Sequence, residues 1–286
     1  MLIKPDLKQI NDYKEYAYAL SQDLSRSSFP TYLDGIKTKE DFMSTIDNAL
    51  KGDISEILLY AENDQVLGWI HYYWLEDDKY IGFDTFDIER NTGNAIDEFL
   101  EYINDRFHDY QICFGFPEAN TEAIGHLKEI GFIKAEESDV FVLDFRNYQL
   151  KPESGCIVEV NDKNYDDFRK LHDGHQDMYW NSDRLYHAMM GVTKDPWHLY
   201  LCYEDDRPVG NIYFVYAENM MEIFGIDVIG GSEITRQLLI KSLNRTKEDG
   251  IGYMTFFAEG EDSNIAKEAG LDFICRYILY VNKEFA

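Results

Sequence analysis

The chain has 286 residues, 45% of them hydrophobic and 15% aromatic, which is enough for two α/β domains of about 140 residues each. Its 54 acidic residues against 27 basic ones give a formal charge of −27, which repels phosphate backbones and anionic lipid and favours a cationic partner, so we expect no nucleic-acid or membrane partner. No apolar leader and no run of about 18 apolar residues occurs, which predicts a cytoplasmic protein.

The first half alternates helical and strand patterns along the chain. In order, these predict helices over 11–20 and 39–51, a hairpin of strands 56–62 and 66–75, strand 79–88, helix 94–107, strand 110–116, helix 120–130 and strand 138–145. A hairpin followed by β-α-β-α-β predicts an α/β fold of the α+β kind, with a mixed sheet flanked by helices.

The same pattern occurs a second time. Hairpin residues Glu62, Asp64, Gly68 and Ile70 match Glu204, Asp206, Gly210 and Ile212, each 142 positions later. Near the end of each half, a helical pattern closes with a glycine, in 128–132 and again in 267–271. Two matches in the same order at nearly one spacing predict a duplication. We expect domains at 1–148 and 156–286, with a linker over about 149–155.

A short polar turn connects strand 79–88 to the helix after it. It reads Arg-Asn-Thr-Gly-Asn-Ala over residues 90–95. Small residues let a phosphate approach backbone N–H groups, and the start of a helix adds partial positive charge. A plain strand-to-helix connection is the alternative interpretation of this turn.

The order hairpin, strand, Arg-x-x-Gly-x-Ala, helix, strand, Asn-x-x-Ala and Gly-Phe resembles the GNAT superfamily of N-acetyltransferases, here in tandem. The resemblance implies acetyl-CoA as co-substrate and a primary amine of a small molecule or peptide as acceptor. It implies that the pyrophosphate contacts Arg90, Gly93 and Ala95, together with the intervening Asn91, Thr92 and Asn94. Asn120 corresponds to a cofactor contact, although a simple helix N-cap explains it equally well.

The resemblance also implies a carboxylate, on the strand before the turn, that deprotonates the acceptor amine. Asp84, Asp87 and Glu89 lie there. Strict alternation puts Asp84 and Asp87 on opposite faces of the sheet, and we favour Asp84 as the catalytic residue. Many relatives carry a tyrosine seven residues after the asparagine. This chain has Leu127, preceded by His126, which we interpret as solvated.

The turn of the second half, 229–236, departs further from the GNAT pattern. Gly230 stands where Arg or Gln is expected, and Glu233 stands where the first required glycine belongs. A carboxylate there would repel a pyrophosphate, so we place the acetyl-CoA site in the first half and expect a degenerate second domain.

The four cysteines form no Cys-x-x-Cys pair and have no His or Cys neighbours at ligand spacing, so we expect no metal. Two functions remain open. The first is an N-acetyltransferase, and the second is a non-catalytic acyl-CoA-binding or interaction protein that keeps the fold. A tandem domain that binds no cofactor is a third, purely structural possibility.

Overall fold

A computed structural model of the chain describes residues 1–28, 38–52, 54–174, 180–192, 196–217 and 219–283. By compactness the chain divides into two units, Met1–Ser138 with Cys275–Ala286, and Asp139–Ile274. Among the described helices, none combines the length and the apolar character needed to cross a membrane.

Within its described residues, the first unit contains four helices and six strands that pair in one sheet. Its elements are β1 Leu2–Ile3, α1 Leu7–Ser21, α2 Lys39–Ala49, β2 Ser55–Glu62, β3 Gln65–Leu75, β4 Tyr80–Ile88, α3 Thr92–Phe107, β5 Gln111–Pro117, α4 Thr121–Glu129 and the start of β6 Ile133–Asp144. Strands β1 to β5 lie in chain order, antiparallel except for the parallel pair β4 and β5. The sixth strand is the end of β12, Asp272–Val281, which runs antiparallel to β5.

Helices cover both faces of this sheet because both faces are apolar. One face packs against α3 and α4 around Phe86, Phe99 and Phe114, all with no exposed surface. The other packs against α1 and α2 around Trp69 and Phe42. Capping boxes fix the starts of both of these helices.

The second unit repeats the arrangement. Its elements are β7 Cys156–Glu159, α5 Tyr165–His172, α6 Ser182–His187, a π-helical segment Ala188–Val192, β8 Trp197–Glu204, β9 Arg207–Ala217, β10 Met220–Val228, α7 Ser232–Glu248, β11 Tyr253–Ala258 and α8 Asp262–Glu268. Strands β7 to β11 lie in chain order, with β10 and β11 parallel, and the end of β6 completes the sheet beside β11.

The glycines of the sequence repeat occupy equivalent positions in the two units. Gly68 of β3 pairs with Tyr60 and Ile88, and Gly210 of β9 pairs with the matching residues of β8 and β10. A Cβ at Gly68 would lie 2.3 Å from Ile88 Cδ1 and 3.0 Å from the Asp87 carbonyl oxygen, so a larger residue would require its neighbours to shift. Gly131 and Gly270 both follow a helix at φ +88°, the left-handed conformation that ends helices. The predicted fold and its duplication are confirmed.

The compact units differ from the sequence repeats 1–148 and 156–286 in their last strands. The end of β6, encoded in the first repeat, pairs with β11 of the second unit and buries Phe141 in its core. The end of β12, encoded in the second repeat, pairs with β5 and buries Tyr280 in the first core. Each sequence repeat is one continuous stretch of the chain. The last strand of each sheet, by contrast, comes from the other repeat. The boundary at 149–155 stays a prediction about the repeats.

Candidate active site

Strands β4 and β5 of the first unit part almost as soon as they pair. Their backbone pairing covers only Tyr80–Ile81 and Gln111–Ile112. The later part of β4 keeps its pairing with β3 up to Ile88. The sheet therefore opens beside the carboxyl ends of two parallel strands, where α/β sheets bind ligands.

Helix α3 begins at this opening. Its N-cap residue Asn91 is left-handed, with φ 59° and ψ 41°, and makes no side-chain cap. Its Nδ2 instead donates to Glu62 Oε2 at 2.7 Å. The first backbone N–H groups of the helix, over 92–94, have no acceptor within the helix and carry partial positive charge. This is the chemistry that a phosphate needs.

A cleft of about 370 Å³ lies between the starts of α3 and α4. It is lined by Asn91, Gly93, Asn94, Thr121, Glu122, Gly125, His126 and Glu129. A Cβ on Gly93 would lie 2.9 Å from His126 Nδ1, so glycine is what lets the ring approach α3. His126 is only 20% exposed and its Nε2 lies 2.7 Å from Asp97 Oδ1, so it is held in place rather than freely solvated. The charged lining residues of this cleft are carboxylates, Glu122 among them.

The other predicted turn residues do not all face this cleft. Arg90 directs its guanidinium away, donating to Gln65 Oε1 at 3.0 Å and to Glu89 Oε1 at 3.3 Å. Thr92 and Ala95 are buried in the start of α3. Thr92 Oγ1 lies 3.5 Å from Glu122 Oε2. The phosphate contacts predicted for these residues stay predictions.

Asn120 is fully buried and uses both ends of its amide. Oδ1 accepts from the Ala123 N–H at 3.3 Å, which caps α4, and Nδ2 donates to the Ser27 carbonyl at 3.1 Å. The structure therefore contains the N-cap hydrogen bond of Asn120. A cofactor contact through the same amide requires Ser27 to give way.

Residues 26–28 lie along β4 where β5 has left it. The Ile88 N–H donates to the Arg26 carbonyl at 3.0 Å, and the Phe86 N–H donates to Ser28 Oγ at 2.6 Å. A ligand arm that hydrogen-bonds this stretch of β4 has to displace the segment. No local sequence pattern signals this contact, because Ser28 and Phe86 are 58 positions apart.

A β-bulge in β4 cancels the expected alternation of its carboxylates. His71 pairs with Thr85 and Tyr72 pairs with Phe83, so Asp84 is the extra residue. Asp84 Oδ2 lies 3.2 Å from His71 Nδ1. Asp87 pairs with Trp69, two residues from His71 on the same face of β3. The expectation of opposite faces is therefore wrong, because the inserted residue shifts the phase of the strand.

Asp87 is the more deeply buried of these two carboxylates. It is 1% exposed, and its Oδ1 accepts from the Ser28 N–H at 3.0 Å, while Oδ2 has no hydrogen-bond partner among the described residues. Burial raises its pKa to about 7, although the Ser28 hydrogen bonds oppose the shift. Asp84, by contrast, keeps 35% of its side chain exposed.

Sequence reasoning overlooked His71. A histidine within an otherwise apolar strand, two residues after a tryptophan, was the available signal. Its ring is 3% exposed, and burial lowers its pKa even though the nearby Asp84 carboxylate opposes the shift. The neutral ring, with Nδ1 facing Asp84, carries its proton on Nδ1 and leaves a lone pair on Nε2. No group of three or more potential metal ligands occurs among the residues that the structure describes.

The equivalent place in the second unit has a different charge distribution. A cleft of about 520 Å³ includes Glu233, Arg236 and Lys267 in its lining. Glu233 occupies the position of Gly93 and accepts two hydrogen bonds from Arg236, at 2.6 and 2.8 Å. The carboxylate thus stands at the start of α7, as the sequence predicted, and Arg236 is already paired with it.

Solved structures resemble the whole chain. A GCN5-related N-acetyltransferase from Sphaerobacter thermophilus superposes with a TM-score of 0.67 at 14% identity, over 99% of this chain and 95% of that one. A tandem GNAT protein from the clavulanic acid biosynthesis pathway superposes with a TM-score of 0.60 at 9% identity, over 98% and 97% of the two chains. The chain has the tandem GNAT fold.

A third structure, a GCN5-related N-acetyltransferase from Kribbella flavida, has a TM-score of 0.59 at 11% identity over 85% of this chain and 94% of that one. Neither a protein-family model nor a curated protein matches the sequence. The GNAT fold is therefore established by structure, at identities too low to transfer a substrate. Leu127, at the position of the family's tyrosine, is fully buried in the core and supplies no proton.

Proposed function

We propose that the protein is an N-acetyltransferase that moves an acetyl group from acetyl-CoA to a primary amine of a small molecule or peptide. The observation that carries the proposal is the parting of β4 from β5 beside the uncapped start of α3, in a chain with the GNAT fold. We assign the pyrophosphate to the backbone of 91–95, with Arg90 at its edge and Asn120 behind it. When bound, acetyl-CoA supplies the activated acetyl group.

The residues of the chain fit this cofactor in part. The free N–H groups over 92–94 and the small Gly93 suit a phosphate. Glu122 and Glu129 oppose it electrostatically, and residues 26–28 occupy the β4 backbone that a pantetheine arm would use. Binding therefore requires this segment to move. We keep Asp84 as a catalytic residue, acting beside His71.

The segment 26–28 and the buried Leu127 also support the second candidate, a non-catalytic acyl-CoA-binding or interaction protein. Calorimetric titration with acetyl-CoA, followed by release of free CoA with a panel of amines, separates the two. Binding with turnover supports the enzyme, and binding without turnover supports the second candidate. Absence of binding refutes both.

The charge of −27 suggests a cationic acceptor and disfavours nucleic acid and anionic membranes. The cysteines at 113, 156, 202 and 275, all within the described residues, form no disulfide there, which fits the reducing cytoplasm that we propose as the location. If the acidic surface attracts the acceptor, turnover of a polyamine should fall as salt rises through the screening range. A flat salt response would leave the charge without a role in acceptor binding.

A further inference from the structure

The edge of β4 that β5 leaves carries a row of backbone donors. Pairing between the two strands ends at Ile81 on β4. Farther along β4, the Glu89 N–H donates to the Leu67 carbonyl of β3 at 2.7 Å. Successive N–H groups of a strand point to opposite sides, so those of Phe86 and Ile88 point away from β3 and toward the opening. An extended chain with acceptors at matching spacing can pair with both.

Residues 26–28, which we call the strap, occupy this edge in the way a strand would. The Ile88 N–H donates to the Arg26 carbonyl at 3.0 Å, and the Phe86 N–H donates to Ser28 Oγ at 2.6 Å. The strap runs antiparallel to β4, because the later residue of β4 meets the earlier residue of the strap. One acceptor is a main-chain carbonyl and the other is a side-chain hydroxyl, so only the second depends on the residue type.

Two further hydrogen bonds hold the strap. The Ser28 N–H donates to Asp87 Oδ1 at 3.0 Å, and Asn120 Nδ2 donates to the Ser27 carbonyl at 3.1 Å. Asn120 is the N-cap of α4, the helix that follows β5, so the strap reaches across the opening from β4. Ser27 and Ser28 are 0% and 2% exposed. The strap is therefore a built part of this site and not a loop that passes over its surface.

The closed strap also has an unfavourable feature. Ser27 Oγ is buried and has no hydrogen-bond partner among the described residues. A buried hydroxyl without a partner has lost its hydration with no compensation, and opening of the strap would restore that hydration. The hydrogen bonds of Ser28 thus favour the closed strap and the burial of Ser27 opposes it, so two neighbouring serines have opposite effects.

We propose that the strap is an internal competitor of the cofactor: it occupies the Phe86 and Ile88 N–H groups in the free protein, acetyl-CoA binds only after it opens, and the Ser28 hydroxyl controls this equilibrium. The proposal rests on the acetyl-transfer function and adds a regulation of its cofactor site. The pantetheine arm carries amide carbonyls, which are acceptors for the same N–H groups. The dissociation constant measured for acetyl-CoA then equals the intrinsic constant divided by the open fraction, so whatever weakens the strap strengthens binding.

Ser28→Ala tests the strap directly. The variant leaves the Phe86 N–H without its acceptor in the closed state alone, so it should raise the opening equilibrium about 10-fold. Acetyl-CoA affinity, measured by calorimetry, should rise by the same factor. Amide hydrogen exchange followed by NMR detects the opening without any cofactor, and exchange at Phe86 and Ile88 in the free protein should also rise about 10-fold.

Matched controls are available for each measurement. Ser27→Ala makes the same chemical change one residue away but removes the hydroxyl that opposes closure, so it should raise neither acetyl-CoA affinity nor exchange at Phe86. The Glu89 N–H is bonded to β3, so its exchange rate should be unchanged in Ser28→Ala. ADP carries a pyrophosphate without a pantetheine arm, so its affinity should be the same in the parent and in Ser28→Ala.

Three results would overturn the proposal and leave the proposed function standing. They are acetyl-CoA binding that Ser28→Ala leaves unchanged, exchange at Phe86 that the variant leaves unchanged, and a gain in affinity for ADP as large as the gain for acetyl-CoA. Binding of acetyl-CoA by Ser28→Ala but not by the parent would support the proposal most strongly. Absence of binding by both proteins would refute the proposed function itself, and with it the regulation by the strap.

Discussion

Replacing Gly93 by aspartate tests the cofactor site most directly. Gly93 is the second residue of α3, and a side chain there would point at His126 across the cleft. The new carboxylate would stand where we place the pyrophosphate and displace one or two charge-assisted hydrogen bonds from the helix start. Their loss should cost about 2–4 kcal/mol, or roughly 30- to 1000-fold in acetyl-CoA affinity.

A carboxylate at this position requires the His126 ring to move aside, because a Cβ there would lie 2.9 Å from its Nδ1, but the backbone of the helix start accepts an acidic residue. Glu233 occupies the same place in α7, and an acidic residue in the first turn of a helix is favourable. A loss of binding in Gly93→Asp is therefore a local effect, which circular dichroism can verify. Glu233→Gly is the matched change in the second unit, and it should leave acetyl-CoA affinity unchanged within error.

Calorimetric titration of both variants decides the matter. Acetyl-CoA binding to Gly93→Asp as tight as to the parent protein would refute the assignment to the first unit. A defect caused instead by Gly230→Asp or Gly231→Asp would move the site to the second unit.

Three further predictions concern the charges of the first unit and the strand exchange, in which the ends of β6 and β12 each complete the sheet of the other repeat. Glu122→Gln removes a carboxylate from the cleft, so acetyl-CoA affinity should rise by about 5-fold at low salt and less at high salt, as calorimetry would show. Asp87 has a folded-state pKa of about 7, above its unfolded value, so its contribution to stability is greatest at low pH and is lost as pH rises from about 4 through 7. Asp87→Asn should therefore gain stability over the parent as pH rises from about 5 to 8, by about 2–4 kcal/mol in urea unfolding, and an unchanged difference would argue that Asp87 ionises normally. Tyr280→Ala should destabilise the first unit by about 3–5 kcal/mol and weaken acetyl-CoA binding, although the residue belongs to the second repeat; a protein that keeps both properties would contradict the strand exchange.

Local pattern predicted most of the fold. The hairpins, the helices and the closing glycines are set by residues close in sequence, such as Gly131 at the end of α4. Helix α3 starts two residues earlier than predicted, because Asn91 adopts the left-handed conformation and lets Thr92 begin the helix.

The features that were missed depend on distant residues. The bulge at Asp84 is visible only once β3 and β4 are aligned, and it decides which face the carboxylate contacts. The segment 26–28, which lies along β4, contacts it through Ser28, a residue far from β4 in the chain. The partner of β5 also could not be predicted from sequence, because any apolar strand of suitable length can pair with its open edge.

The exchanged strands carry a consequence for synthesis on the ribosome. The edge of β5 that faces away from β4 lacks its partner until residues 277–281 have emerged, because this end of β12 pairs with it. At 5–20 residues per second, the roughly 160 residues that follow β5 take about 8–33 s to make, and during that time β5 presents an open edge. The nascent chain is therefore exposed to aggregation until its last strand is released, and both units reach their final form at nearly the same moment.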